Sequence, residues 1–143
     1  MQTLIRHILE VKGYDFWNIR PDASVFEALR MMSVKDVGAL IVMQDDRMVG
    51  ILSERDYARK VVLLGKTSRE TLVSEIMSTN IFTIHPEQTV EEAMDIMTLK
   101  HVRHLPVVED DKVLGIISIG DVVKAIIYKQ RQTIKDMEGK IIS

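Results

Sequence analysis

The chain of 143 residues contains no cysteine. Disulfides, thiolate zinc sites, iron–sulfur clusters and cysteine nucleophiles are therefore excluded. It also lacks an excess of charge of either sign, because 19 Lys and Arg residues face 21 Asp and Glu residues, for a net charge of −2. This balance argues against binding of nucleic acid through a basic surface, so no nucleic acid partner is expected.

Long hydrophobic runs are absent as well. The longest, residues 37–44 and 113–120, have eight residues each, whereas a membrane helix needs about 18. The first ten residues include Arg6, His7 and Glu10, so a signal peptide is not predicted. These absences predict a soluble, cytoplasmic protein with no membrane partner.

What the chain does contain is an internal duplication. Residues 19–62 align with residues 84–127 at a constant offset of 65 without a gap, and 16 of the 44 aligned positions are identical. Each copy is too small to bury a good core by itself. We therefore expect the two copies to pack on each other with pseudo-twofold symmetry and to form a cleft between them.

Each copy has the sequence pattern of a β-α-β-β-α unit. A short apolar run (16–19 and 81–84) ends at a proline, and Ser-x-x-Glu or Thr-x-x-Glu then marks the start of a helix. A β-branched run follows, turns at an acidic tetrapeptide (44–47 and 109–112) and returns, as in a β-hairpin. A second helix is predicted to start near Asp56 and near Asp121. The fold class is therefore predicted to be α+β.

The repeat also suggests how the chain is divided. Short amphipathic helices are predicted before each copy, at residues 3–11 and 68–76. We predict a first repeat over residues 1–65, which includes its N-terminal lead-in helix, and a second repeat over residues 66–130. Residues 131–143 have no counterpart and are predicted to extend the last helix.

The two copies resemble a known family in the segments that close each hairpin. "VGILSERD" in the first copy, "LGIISIGD" in the second, and "HVRHLPVVEDDKVLGIISIGDVV" as a whole resemble a tandem pair of cystathionine-β-synthase (CBS) domains, a Bateman module, over about residues 1–130. The resemblance implies a regulatory module without catalytic residues. It implies that an adenosine-containing ligand (AMP, ADP, ATP, NAD(H) or S-adenosylmethionine) binds in the cleft. It also implies a disc-like homodimer.

The resemblance assigns roles to the repeated Ser-x-x-Asp motif. Ser53 with Asp56, and Ser118 with Asp121, match the motif in which the carboxylate accepts hydrogen bonds from both ribose hydroxyls and the serine contacts ribose or phosphate. A carboxylate has enough lone pairs for two neighbouring O–H donors. The same spacing before an apolar helix is also typical of a capping box, and the spacing alone does not separate the two interpretations.

Basic residues are placed differently in the two copies. The resemblance implies that Arg103 and His104, in the segment Val102–Pro106, face ligand phosphates; the alternative for Arg103 is a solvated surface residue. The aligned positions of the first copy are uncharged, whereas basic residues cluster at the start of its second helix. The two sites are therefore expected to differ, one preferring a mononucleotide such as AMP and the other a larger ligand such as NAD. The candidate residues added here are Gly38, Ala39, Arg55, Arg103, His104 and Pro106.

The first strand of each copy supplies the remaining candidates. The resemblance implies that its backbone reads the adenine edge and that the polar side chains of Asn18 and Thr83 reach the phosphate; ordinary strand-end residues are the alternative. Ile19, Ile84 and Ile117, the last from the second hairpin, are candidates for packing against adenine, although apolar strand residues usually belong to the core.

Other functions find less support in the sequence. His85, His101 and His104 have no third ligand at metal spacing, so neither a metal site nor a catalytic cofactor is predicted. No nucleophile with a base or paired acid and base is evident. The alternatives are a homodimerisation or scaffold module without a ligand, and an unrecognised hydrolase of nucleotides. A protein partner is expected because the repeats occupy almost the whole chain.

Overall fold

The computed structural model describes residues 2–142, with side chains to Gly139, so the predicted segment ends at Met1 and Ser143 lie outside the described residues. The chain divides into two compact units. The middle unit is Phe16–Ile81. The outer unit combines the N-terminal residues up to Asp15 with the residues from Phe82 onward. The predicted segments divide the chain by its sequence repeat, after residues 65 and 130, whereas the two units are defined by which residues pack together.

The middle unit is built on a three-stranded sheet. Strand β1 (Asn18–Ile19) pairs in parallel with β2 (Ala39–Gln44), which pairs antiparallel with β3 (Arg47–Ser53). Helix α2 (Val25–Lys35) joins β1 to β2. After β3 the chain forms a single turn, α3 (Glu54–Tyr57), then a π-helical turn at Ala58–Val62, and later α4 (Val73–Ile76). Apolar residues from all these elements except α3 form its core, among them Ile19, Ala28, Leu40, Leu52, Val61 and Ile76.

The outer unit contains the second hairpin and the chain's longest helix. Helix α1 (Ile5–Lys12) precedes the middle unit in sequence, and α5 (Val90–Lys100), β4 (His104–Glu109), β5 (Lys112–Ser118) and α6 (Ile119–Ile142) follow it. Its core places α1 against the second repeat, with Ile5, Leu9, Ile84, Leu105, Val107 and Ile117 all buried. The predicted α+β class is confirmed, because each unit combines a β-hairpin with helices. Pseudo-twofold packing and a disc-like homodimer stay predictions.

The helix starts follow the predicted caps. Ser24 Oγ accepts the backbone N–H of Glu27 at the start of α2, at 3.1 Å. At the start of α5 the box is reciprocal, because Thr89 Oγ1 accepts the N–H of Glu92 and the Glu92 carboxylate accepts the N–H of Thr89. Each bond satisfies an amide that the first helical turn leaves without a partner.

The first strand differs between the units, although both were predicted. In the outer unit only Ile84 pairs, as an isolated parallel bridge to Val107. In the middle unit the N–H of Ile41 donates to the carbonyl of Trp17 at 3.3 Å. The position equivalent to Ile41 is Pro106, which has no N–H to donate. The proline therefore removes the hydrogen bond that would extend the strand.

The second helices differ as well. The predicted helix after Asp56 is replaced by one α-helical turn and one π-helical turn, whereas α6 continues through the predicted extension as far as Ile142. The predicted lead-in helix at 68–76 is limited to the four residues of α4, while α1 has eight.

Candidate functional site

The Ser-x-x-Asp motif of the middle unit lies where β3 passes into α3. Asp56 Oδ2 accepts the backbone N–H and the hydroxyl of Ser53, at 2.9 and 3.1 Å, and Ser53 Oγ accepts the N–H of Asp56 at 3.2 Å. Lys60 Nζ lies 3.4 Å from Asp56 Oδ1 and donates to the carbonyl of Ile76 at 3.0 Å. Ser53 and Asp56 therefore form a capping box. Its hydrogen bonds hold the half-buried carboxylate of Asp56 in one orientation.

The outer unit repeats this arrangement between β5 and α6. Asp121 Oδ2 accepts the N–H of Ser118 at 2.8 Å, and Ser118 Oγ accepts the N–H of Asp121 at 3.2 Å. Lys12 Nζ donates to the same Oδ2 at 2.7 Å and to the carbonyl of Ile116 at 2.9 Å. Burial acts to raise the pKa of Asp121, but the hydrogen bonds from Lys12 and Ser118 and the charge of Lys12 outweigh it and keep the pKa below its ordinary value.

The two carboxylates thus receive an ammonium group from different elements. Lys60 comes from the π-helical turn that follows Asp56, and the equivalent position of the second copy is Ala125. Lys12 comes from the end of α1, and its equivalent position is Met77. The sequence analysis did not find Lys12, because it lies outside the aligned repeat and 109 residues from Asp121. Because the equivalent residue of the second copy is Met77, the comparison of the two copies gave no reason to select Lys12 as a site residue.

Backbone contacts bring the segments 38–39 and 103–104 beside these motifs. The carbonyl of Gly38 accepts the N–H of Glu54 at 3.1 Å, and the carbonyl of Arg103 accepts the N–H of Ile119 at 2.9 Å. In the strand registers Ala39 lies opposite Ser53, and His104 lies opposite Ser118. The structure therefore brings together the candidates that the two copies share, within each unit.

The remaining candidates are distributed between the surface and the core. Asn18, Arg55, Thr83 and the side chain of Arg103 are exposed, and Pro106 is buried. Ile19, Ile84 and Ile117 are buried members of the two hydrophobic cores. Contact of these three residues with adenine stays a prediction, whereas their packing in the cores is seen in the structure.

His104 is the one imidazole at this site with a displaced pKa among the described residues. Burial lowers its pKa, Lys12 and Arg103 add to the decrease through their positive charges, and Asp121 opposes it. His104 is therefore neutral at pH 7 and can offer a ligand one N–H donor but no positive charge.

This displacement predicts a pH dependence of stability. Because the folded pKa of His104 lies below the ordinary value of 6.5, the unfolded chain binds its proton first as the pH falls. The contribution of neutral His104 is therefore present above pH 6.5 and is lost below it, by at most about 1.4 kcal/mol per pH unit. We expect the free energy of unfolding of His104→Gln to fall less than that of the wild type between about pH 7.5 and 5.5. Parallel curves from chemical denaturation would contradict this assignment.

Neither a cluster of metal ligands nor a membrane-spanning helix is found among the residues that the structure describes. Within the part of the chain that the structure describes, no three His, Asp or Glu side chains are grouped to hold a metal ion. No helix over the same residues is long and apolar enough to cross a membrane.

Comparisons with known proteins match the chain over nearly its whole length. The CBS domain family model matches twice, at residues 11–63 and 73–128. A mitochondrial CBS domain-containing protein of Arabidopsis thaliana, CBSX3, is 37% identical, over 97% of this chain and 72% of that protein.

Solved structures show the same similarity. A protein with CBS domains from Burkholderia ambifaria MC40-6 superposes with a TM-score of 0.86 at 40% identity, over 90% of this chain and 96% of that one. The CBS domain pair of protein MJ0100, in complex with 5′-methylthioadenosine and S-adenosyl-L-methionine, superposes with a TM-score of 0.77 at 25% identity, over 87% and 99% of the two chains. The chain therefore belongs to the CBS-domain family and carries two CBS domains in tandem.

Proposed function

We propose that the chain is a non-catalytic regulatory module that binds an adenosine-containing ligand at its two Ser-x-x-Asp motifs. The observation that carries the proposal is the duplicated carboxylate, Asp56 and Asp121, which each unit holds half-buried beside a backbone N–H and a lysine. The ligands of the MJ0100 pair, which both contain adenosine, support this class of ligand.

The outer unit's carboxylate has the chemistry that a ribose requires. Lys12 Nζ and the N–H of Ser118 both donate to Oδ2 of Asp121, and a carboxylate has further lone pairs for two neighbouring ribose hydroxyls. A charged acceptor makes the stronger hydrogen bonds with such donors. The Ser118–Asp121 hydrogen bonds orient the carboxylate before ligand arrives, which lowers the entropy cost of binding.

The two units offer different surroundings to the rest of a ligand. Lys12 places positive charge beside Asp121, and the backbone carbonyl of Arg103 accepts the N–H of Ile119 next to the same motif. The planar guanidinium of Arg103 matches phosphate oxygens. The equivalent of Arg103 is Gly38, which has more room and no charge. We assign a phosphate-bearing mononucleotide such as AMP to the outer unit and a larger ligand such as NAD to the middle unit. A structure with the same ligand in the same pose at both motifs would overturn this assignment.

Regulation follows from ligand binding only if two states of the protein bind the ligand differently. We propose that the two states differ in how the chain binds a protein partner or in the arrangement of a homodimer. The ligand then shifts the equilibrium toward the state that binds it more tightly. The module is accordingly proposed to sense energy or redox state, with the ligand as its input.

Thermal unfolding against a ligand panel tests the proposal. The panel is AMP, ADP, ATP, NAD, NADH and S-adenosylmethionine, each with the wild type, Asp56→Ala and Asp121→Ala. A ligand at 100 times its Kd adds about 2.7 kcal/mol to the free energy of unfolding, a shift of several degrees. We expect one of the two substitutions to abolish the shift of a given ligand, because it removes the acceptor for the ribose hydroxyls.

A matched control separates binding from capping. Each Asp→Ala change also removes the carboxylate that accepts the N–H of the capping serine, at a cost of about 1 kcal/mol without ligand. Ser24→Ala and Thr89→Ala remove a cap outside the motifs and should leave the ligand-induced shift unchanged. If no ligand shifts the wild type, the scaffold alternative replaces the sensor, and turnover of ATP or NAD would indicate a hydrolase.

A further inference from the structure

Lys12 connects the end of helix α1 to the carboxylate of the outer unit. Its ammonium donates to Asp121 Oδ2 at 2.7 Å and to the carbonyl of Ile116 in β5 at 2.9 Å. A hydrogen bond between two charged groups is stronger than one between neutral groups. The last residue of α1 is therefore bound to the carboxylate that we assign to the ligand.

The two ends of α1 are held by different kinds of contact. At its start, the backbone N–H groups of Ile5 and Arg6 donate to carbonyls of the segment before α5, both at 2.8 Å. Beyond Leu9, which is fully buried, the remaining residues of the helix, 10–12, are exposed. Lys12 therefore attaches the last turn through a polar side chain, whereas the start is attached through backbone hydrogen bonds.

The middle unit holds the equivalent segment in another way. Ile51 and Ser78 exchange two backbone hydrogen bonds, at 3.0 and 2.9 Å, shortly after α4. Ile51 is the equivalent of Ile116 in the repeat, so the carbonyl that accepts a backbone N–H in the middle unit accepts the ammonium of Lys12 in the outer unit. The backbone pair does not involve the carboxylate of the motif, whereas the ammonium that binds Ile116 also binds Asp121.

The ammonium matters to a ligand because the ligand takes the carboxylate out of water. The Asp121 side chain is 20% exposed, and a ribose bound to it removes the rest of this exposure. Burial of a carboxylate is costly unless an opposite charge is paired with it. Lys12 supplies that charge when α1 is docked. Ligand binding and docking of the end of α1 therefore stabilise each other, since both need the ion pair between Lys12 and Asp121.

We propose that Lys12 is a positioning residue for the outer unit's ligand, through which occupation of the Asp121 motif fixes the last turn of α1. This inference rests on the proposed ligand binding and adds a structural consequence to it. The middle unit is the internal contrast, because Lys60 lies on the turn that follows its own motif, and the segment after α4 is held by backbone bonds. The coupling is reciprocal, so α1 raises the ligand affinity by the same factor by which the ligand stabilises the docking of α1.

Calorimetric titration with AMP measures one side of the coupling. The Asp56→Ala protein serves as the parent, because its middle motif has no carboxylate. Lys12→Met introduces the residue found at the equivalent position, 77, of the other copy, and removal of the ammonium should raise the Kd for AMP about tenfold. Lys12→Arg keeps the charge and the N–H donors, and should bind AMP more tightly than Lys12→Met. Lys112→Met removes the same charge about 20 Å along β5 from Ser118 and should leave the Kd unchanged.

Amide hydrogen exchange, followed by NMR, measures the other side. The N–H of Gly13 donates to the carbonyl of Leu9 at 2.7 Å and closes the last turn of α1, so its exchange rate reports on local opening of that turn. Saturating AMP should slow this exchange about tenfold, by reciprocity. Lys12→Met should abolish the slowing, even at AMP concentrations that saturate the variant. The amide of Ser78 in the middle unit is the reference, which corrects for stabilisation of the whole protein.

The outcomes separate this coupling from the proposed function. A Lys12→Met protein that binds AMP as tightly as its parent would overturn the coupling alone, as would AMP binding that leaves the exchange at Gly13 unchanged relative to Ser78. A parent that does not bind AMP would overturn the proposed function for this ligand together with the coupling. Without ligand, Asp121→Asn should speed the exchange at Gly13, and an unchanged rate would show that the carboxylate does not hold the end of α1.

Discussion

Leu9→Ala is expected to lower the free energy of unfolding by about 2–5 kcal/mol, the usual cost of truncating a fully buried leucine. Leu9 lies on α1, is completely buried, and belongs to the same core as Leu105, Val107 and Ile117 of the second repeat. The substitution removes its apolar contacts and leaves a cavity between the helix and the hairpin. Urea denaturation measures the change.

The same helix offers the control. Val11, two residues further along α1, is 91% exposed, and Val11→Ala should change the free energy of unfolding by less than about 0.5 kcal/mol. A similar, small effect of both substitutions would contradict the packing of α1 in the outer unit. A large effect of Leu9→Ala alone would show that the N-terminal residues are part of the second repeat's core.

Gly115→Val is expected to destabilise the protein by about 1–3 kcal/mol, the usual cost of overpacking. A Cβ atom at Gly115 would lie 2.9 Å from Leu9 Cδ2 and 3.8 Å from the carbonyl oxygen of Tyr14. Leu9 is the flexible partner, but it is fully buried and has little room to move. Valine's higher strand propensity offsets part of this cost, within the range of about 1 kcal/mol that such propensities span.

A double-mutant cycle makes this prediction specific to the contact. Leu9→Ala removes the atom that the new side chain would meet, so Leu9→Ala/Gly115→Val should be less destabilised than the sum of the two single variants, by at least about 0.5 kcal/mol. Additive effects would show that the cost of Gly115→Val arises elsewhere. Gly139→Ala is the opposite control, because this helical glycine has nothing within 4 Å of its Cβ position and alanine should stabilise α6 by about 0.5–1 kcal/mol.

The structure explains why both copies have a glycine at the same position of the hairpin. Gly50 and Gly115 are equivalent in the two copies, but the alignment does not say why either is glycine. In the structure a Cβ atom at Gly50 would lie 2.7 Å from Met77 Sδ and 3.0 Å from the carbonyl oxygen of Ser78. In both units the hairpin is therefore approached too closely for a side chain, by a segment distant in sequence.

The features that the sequence determined by itself depend on residues close together along the chain. Ser24 and Thr89 cap their helices, and Ser53 and Ser118 bond with aspartates three residues later, as the spacing predicted. Such contacts need only a turn of backbone, so a local pattern is enough to specify them. The duplication added the order of elements and the equivalence of the two carboxylates.

Which distant segments pack together in each unit becomes evident only from the folded chain. Two of these features join residues far apart in sequence: α1 packs against the second repeat, and Lys12 pairs with Asp121. The third is the missing strand pairing opposite Pro106, where only the bridge between Ile84 and Val107 forms. Each of these contacts has one residue that differs between the copies, because Leu9, Lys12 and Pro106 are equivalent to Ser74, Met77 and Ile41. The comparison of the two copies therefore did not predict these contacts. Burial of apolar surface stabilises such contacts, and its free energy depends on the buried area and on how closely the surfaces pack, not on the spacing of residues along the chain.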